Sequence, residues 1–315
     1  MHDFRECGDG IYLFDAGYVR PQLAAIHMVV EKGRVAFVDT GTNSALPAVL
    51  AALQRVGLDS SAVDYVILSH IHLDHAGGAG AMMRAFPHAR LVVHPRGARH
   101  MAEPSRLVTG VIGVYGEDYV RRMYGEVLSV PAERISPAPH EQVFSLAGRE
   151  LLCLDTPGHA RHHICIVDRR TGGIFTGDTF GLAYPQMDVG GRKFIFPTTT
   201  PTQFEPEAMH RSIDLLMSYR PVTMYLTHYG PVHEPGKLRD DLLRRLDAQI
   251  EMALAEKQAG DERHARIKAR LFDYLTAEAR HFGCPLSEEE LRNLWESDCE
   301  LNAQGLSTWL DGVSS

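Results

Sequence analysis

Short apolar runs broken by turn residues dominate the first 235 positions, and the last eighty turn to helical spacing. Residues 10–17 (GIYLFDAG), 24–33 (AAIHMVVEKG) and 34–41 (RVAFVDTG) read as strands, with Lys32-Gly33 as a hairpin turn and a half-buried face across Ala24 to Val30. Leu46, Val49, Leu50, Leu53 and Val56 recur at helical spacing until Gly57 stops them. A buried strand over 64–70 (DYVILSH), a helix over 80–87 and a strand over 90–94 follow. Residues 95–130 are helical and irregular, with an insert around Gly110, Gly113 and Gly116, and short strands at hairpin spacing return over 141–178. Residues 181–205 show little periodicity and much Gly, Pro and Thr; a loop that long inside a compact region is as a rule either functional or disordered. Pro206 suits the first position of a helix over 206–219, and PVTMYLTH (221–228) reads as a closing strand. After Pro235-Gly236 the segments become charge-rich and helical, which predicts a main domain over 1–236 and a helical C-terminal extension over 237–315. Packing or homodimer formation is the expected role of that extension, and its mixed charges suit a solvated face.

Composition narrows the picture. A chain of 315 residues with 44% hydrophobic and 23% charged residues can bury a sizeable core. The formal charge of −8 argues against nucleic acid or an anionic membrane as partner. The opening MHDFRECGDG has neither the basic nor the apolar region of a signal peptide, and no apolar run approaches membrane-spanning length. Five cysteines, odd in number and without a C-x-x-C pair, fit a reducing cytoplasm. The anomaly is the 17 histidines.

Several of them fall in one pattern. After the apolar run Val66-Ile67-Leu68 comes SHIHLDHAGG (69–78), in which His70, His72, Asp74 and His75 offer imidazole and carboxylate donors for zinc, iron or manganese. At this chain's own composition such a spacing arises by chance about 0.003 times, so accident is a poor explanation. At a strand end, 70 and 72 point to one side while 74 and 75 fall on the turn beyond, and Ala76-Gly77-Gly78 lets backbone come close. Two donor pairs can thus address two adjacent points. They do not close two metal sites, and the same order of apolar strand, small turn residues and donor recurs at His159 (LLCLDTPGHA), Asp178 (GIFTGDTF) and His228 (MYLTHYGP).

The set SHIHLDH, TPGHARHH, TGDT and LTHYG resembles the metallo-β-lactamase-fold superfamily of binuclear hydrolases over residues 10–235. The resemblance implies an α+β fold, a four-layer αββα sandwich with the metals at one edge, and makes 1–236 the catalytic domain. It implies that His70, His72 and His159 hold one metal, that Asp74, His75 and His228 hold the other, and that Asp178 bridges them. Two divalent ions, zinc in the first place and iron or manganese otherwise, would then supply a bridging hydroxide for attack on an ester, thioester or lactone. Asp74 would orient that nucleophile or carry a proton.

The substrate is a small molecule of unnamed class. Lactonase-like relatives carry a tyrosine three residues after the bridging aspartate, where this chain has Gly181; Tyr184 is the nearest substitute. The glyoxalase II pattern GHTxGH is kept only in part, since His162 stands where glycine is usual, with His163 beyond it as a supporting residue. Arg161 reads as a surface residue. Within 184–204, Tyr184, Phe194 and Phe196 are candidates for an apolar substrate pocket, with the alternative that the aromatic residues dock the loop. Two other readings share these motifs: a mononuclear iron enzyme similar to persulfide dioxygenases, using His70, His159 and Asp178, and a non-catalytic sensor or scaffold.

Overall fold

Thirteen strands form two mixed sheets, both within the first of two units into which the chain divides in this computed structural model, which describes residues 3–199 and 201–313. That unit runs through Asp155 and takes in His162–Gly177 and Tyr219–His233. Its larger sheet follows chain order: β1 (Arg5–Gly8), β2 (Ile11–Asp15), β3 (Ala25–Glu31), β4 (Arg34–Val38), β5 (Val63–Ile67), β6 (Arg90–Val93) and β7 (Ile135–Pro137). Pairing is antiparallel up to β4 and parallel from β4 onward. The predicted Lys32-Gly33 hairpin turn forms, both residues taking positive φ (47° and 75°) as a tight turn between right-twisted strands requires.

The smaller sheet also follows chain order: β8 (Gln142–Leu146), β9 (Arg149–Asp155), β10 (Ile164–Asp168), β11 (Gly173–Gly177), β12 (Thr223–Leu226) and β13 (Gly230–His233). Only β11 and β12 run parallel. Parallel pairing brings carboxyl ends to a common edge, so the residues after β4 and β5 share one, and those after β11 and β12 share another.

Alternation along β4 shows how the layers are specified. Val35 and Phe37 join a core with Val49 and Leu53 of helix α1 (Leu46–Arg55), while Ala36 and Val38 face Leu151, Cys153, Ile166 and Phe175 of the smaller sheet. Short helices α2 (Leu73–Ala76) and α3 (Ala79–Ala85) follow β5, and α4 (Pro95–Ala102), α5 (Ser105–Tyr115) and α6 (Glu117–Tyr124) fill the stretch after β6. The strands not anticipated from the sequence, β1, β7 and β13, have three or four residues each. Backbone pairing with a neighbouring strand, rather than an apolar pattern of their own, defines them.

The second unit holds Thr156–Arg161, Asp178–Ser218 and the chain from Glu234 onward. Its helices are α7 (Pro206–Ser218), α8 (Pro235–Ala255), α9 (Arg263–Phe282) and α10 (Glu288–Val313), the last interrupted by non-helical backbone at Trp295. Helices α8–α10 thus share the second unit with residues 178–218. Buried Trp295 lies 6.0 Å from the ring of Phe194 and 5.9 Å from that of Phe196. Arg245 donates to the Ile195 carbonyl (2.7 Å) and stacks on Phe194, and Asn302 receives the Thr199 N–H (2.8 Å). The helices thus satisfy the side chains and backbone of a segment that has almost no regular structure of its own.

Candidate metal centre

In the first unit the quoted motif hangs from a buried carboxylate. Asp39 follows β4 with φ 60° and no exposure to solvent. It accepts hydrogen bonds from the Ser69 N–H (2.8 Å), the Ser69 hydroxyl (2.9 Å), the Thr227 hydroxyl (2.7 Å) and His75 Nδ1 (2.9 Å). After β5 the chain bends at Ser69, His72 is extended, and α2 then carries Asp74 and His75. Gly78 permits the close return of this chain: a Cβ there would sit 2.8 Å from the Thr42 carbonyl oxygen and 2.9 Å from that of Thr40.

Hydrogen bonding decides how the imidazoles point. His75 donates from Nδ1 to Asp39, and His228 donates from Nδ1 to the Leu23 carbonyl (2.7 Å). Each ring therefore turns an Nε2 lone pair inward. The two Nε2 atoms lie 3.2 Å apart, and each is 3.4 Å from Asp74 Oδ2. Burial opposes ionisation of Asp74, but with no cation between the three groups protonated His75 and His228 outweigh it and hold the carboxyl well below the ordinary carboxylate range; a bound cation would take the place of those protons. Three electron-pair donors thus face one another at hydrogen-bond separation, an arrangement that suits a cation between them. On the same motif His70 Nε2 approaches His72 Nδ1 at 2.8 Å, and His70 Nδ1 lies 3.1 Å from the Ser69 hydroxyl. His163 stacks on His70 at 5.0 Å, and His162 meets the His72 ring edge-on at 5.6 Å.

The other two expected ligands meet in the second unit. Gly158, at φ 136°, lets the turn lie on α7, where a Cβ would stand 2.4 Å from the Met209 backbone. His159 follows it, and its Nε2 is 3.3 Å from Asp178 Oδ2; both residues are buried. Arg161 is exposed and paired with Glu205 (2.6 Å).

The pocket candidates lie in the second unit. Tyr184, Phe194 and Phe196 have no solvent exposure, and the Tyr184 hydroxyl donates to Asp298 (3.1 Å). A side chain at Gly181 would meet the Phe196 carbonyl oxygen at 2.5 Å, so that position has no room for tyrosine. Asp39, Thr227 and the Leu23 carbonyl were not anticipated as supports of the site. The signal for Asp39 was the acid that ends the buried run RVAFVDTG.

The description of the metallo-beta-lactamase superfamily matches residues 20–228, a span that includes all seven of these donors. The chain belongs to the metallo-beta-lactamase superfamily. Its architecture is that of the superfamily, two mixed sheets flanked by helices, with further helices toward the C-terminal end. It is 23% identical over 254 residues to the metallo-beta-lactamase fold-containing protein ST1585 of Sulfurisphaera tokodaii, covering 78% of this chain and 87% of that protein. The solved structure of ST1585 aligns over 94% of this chain and 98% of its own at 20% identity, with a TM-score of 0.65. The metallo-beta-lactamase family protein TTHA1429 of Thermus thermophilus aligns over 98% of this chain and 95% of its own, also at 20% identity, with a TM-score of 0.69. A hydroxyacylglutathione hydrolase of Xanthomonas campestris is 30% identical over 164 residues, 52% of this chain and 49% of that enzyme. Among the described residues no helix is long and apolar enough to cross a membrane.

Proposed function

We propose that this protein is a metal-dependent hydrolase acting on an ester, thioester or lactone. The observation that carries the reading is the inward-facing set of Asp74, His75 and His228, whose outer nitrogens are already committed to Asp39 and Leu23. In this reading those three side chains hold one divalent ion, His70, His72 and His159 hold a second, and Asp178 serves both. Zinc suits the imidazole-rich donors. Such ions supply Lewis acidity, lowering the pKa of a water and polarising an acyl oxygen.

The chain's own groups supply the rest. Asp74 turns Oδ2 to the two imidazoles, and its side chain keeps 23% of its surface exposed. Its Oδ1 is the atom to take a proton from the nucleophile or return one to the leaving group. Ser69 and Thr227 hold Asp39 in position, and Asp39 fixes the His75 tautomer. Membership of a largely hydrolytic superfamily and the hydroxyacylglutathione hydrolase relative support this class of reaction. Five cysteines without a C-x-x-C pair fit a cytoplasmic setting.

The test is metal analysis of the purified protein, followed by a panel of thioesters, esters, lactones and phosphodiesters. Two divalent ions per chain and hydrolysis of an acyl substrate are expected. Asp178→Ala is expected to abolish turnover and lower the metal content; unchanged metal content in that variant would overturn the ligand assignment.

A further inference from the structure

Helix α10 reaches a candidate metal ligand through a single peptide group. His159 lies in the turn Thr156–Arg161, which belongs to the same unit as α7, α8 and α10. The backbone of that turn is held by α7 and the residues just before it. The Ser212 hydroxyl donates to the Pro157 carbonyl (2.5 Å), the Glu205 N–H to the Gly158 carbonyl (2.9 Å), and the Arg161 N–H to Gln203 Oε1 (3.0 Å). These contacts place the backbone of His159 and leave the rotation of its ring to other groups.

The ring turns one nitrogen to a carbonyl. His159 Nδ1 lies 3.4 Å from the Thr198 carbonyl oxygen. A carbonyl accepts and never donates, so Nδ1 carries the proton in this contact. The Nε2 lone pair is then the one that faces a cation beside Asp178, whose Oδ2 is 3.3 Å away. Residues 197–199 belong to neither strand nor helix, so the place of that carbonyl depends on whatever grips the peptides around it.

Asn302 on α10 is that grip, and it is buried. Its Nδ2 donates to the Pro197 carbonyl (3.1 Å), and its Oδ1 accepts the Thr199 N–H (2.8 Å). The Thr199 hydroxyl donates in turn to the Asn302 backbone carbonyl (3.0 Å). The Thr199 N–H and the Thr198 carbonyl are the two ends of one planar peptide. Asn302 and His159 therefore hold opposite ends of the same rigid group. An apolar residue would suit the buried face of α10, whose neighbours there include Cys299, Ala303 and Leu306. A carboxamide at that position brings only its peptide contacts, since it costs desolvation that leucine would not.

We propose that Asn302 is a positioning residue for metal binding, which fixes the tautomer and direction of His159 through the Thr198–Thr199 peptide. This rests on the ligand role given to His159 in the hydrolase reading. It gives the C-terminal helices a part in the site, beyond the packing or homodimer formation expected of them.

The experiment is competition for zinc between a chromophoric chelator and the zinc-loaded full chain. Wild type is compared with His159→Ala, Asn302→Leu, Thr199→Val and Thr199→Ser, and the melting temperature of each is recorded. His159→Ala should lose one of two ions. Asn302→Leu should weaken that ion about tenfold and leave the ion of Asp74, His75 and His228 unchanged. Thr199→Val, which loses the hydroxyl, should fall between Asn302→Leu and wild type, and Thr199→Ser, which keeps it, should match wild type. If Asn302→Leu does not fold, the contrast between Thr199→Val and Thr199→Ser decides the question. Variants that melt lower yet hold both ions as wild type does would show a merely structural role and overturn the proposal. Equal weakening of both ions would overturn it too. A wild type that holds fewer than two ions, or a His159→Ala variant that holds as many as wild type, would sink the ligand assignment and the proposal with it. The readout needs no turnover, so it is independent of whether a substrate is found.

Discussion

Asp39 and Asp168 are both fully buried carboxylates in the first unit, and they are handled in opposite ways. Asp168, which ends β10, receives Nε of Arg149 at 3.0 Å together with that residue's Nη2, the Arg170 N–H and the Thr171 hydroxyl. Its charge is cancelled on the spot by a guanidinium that is itself buried. Asp39 has hydroxyls, one N–H and His75 for company, and no arginine or lysine hydrogen-bonds to it among the described residues. Its field therefore remains to act on the imidazole. The difference separates a carboxylate that closes the fold from one that makes a neighbouring nitrogen a better electron-pair donor. His27 is a third case: a buried ring between the sheets, edge-on to Phe175 and Tyr225, whose Nε2 has no hydrogen-bond partner.

Breaking the cancelled pair should have the largest effect. Arg149→Ala leaves Asp168 buried and unpaired, and a loss of about 3–5 kcal/mol in unfolding free energy is expected from denaturant titration. Metal affinity of the folded fraction should barely change, since Arg149 touches none of the donors. A stability equal to wild type would show that the pair is not the closure described.

Next comes His27. Burial, its main influence, holds the folded imidazole down to about 4, with the charge of Asp39 opposing and that of Arg5 adding. The unfolded ring titrates near its ordinary value of about 6.5. A depressed histidine contributes its full stability above the unfolded value and loses it as pH falls toward the folded one. Between about pH 6.5 and 4, wild type should therefore lose up to about 3 kcal/mol relative to His27→Leu. Parallel stability–pH curves for the two proteins would refute this.

The smallest effect tests the other carboxylate. Asp39→Asn keeps the shape and removes the charge, so metal affinity should fall about 10–100-fold while the fold is retained. Competition with a chromophoric chelator measures it. An unchanged affinity would mean that the Asp39–His75 contact only packs.

How much of this could be read from the residues alone depends on how local each signal is. His70, His72, Asp74 and His75 sit within six positions, so one strand end and one turn suffice to imply a shared purpose. His159, Asp178 and His228 lie far apart, yet each repeats the order of strand, small residues and donor. Asp39 was visible as an acid at a strand end, but its three partner residues are Ser69 just after β5, His75 on α2 and Thr227 after β12, and no spacing rule joins them. The aromatic residues of 184–196 were visible as apolar; whether they faced a pocket or a core depended on α8 and α10.

The sequence by itself determined the strand runs, the C-terminal helices, the donor types and the family they resemble, because each depends on periodicity or on residues close in the chain. Tertiary structure alone decided which nitrogen of His75 and His228 faces inward and which buried carboxylate stays uncancelled. Those outcomes are set by hydrogen bonds between groups tens to hundreds of residues apart, and only the packed sheets bring such groups within reach.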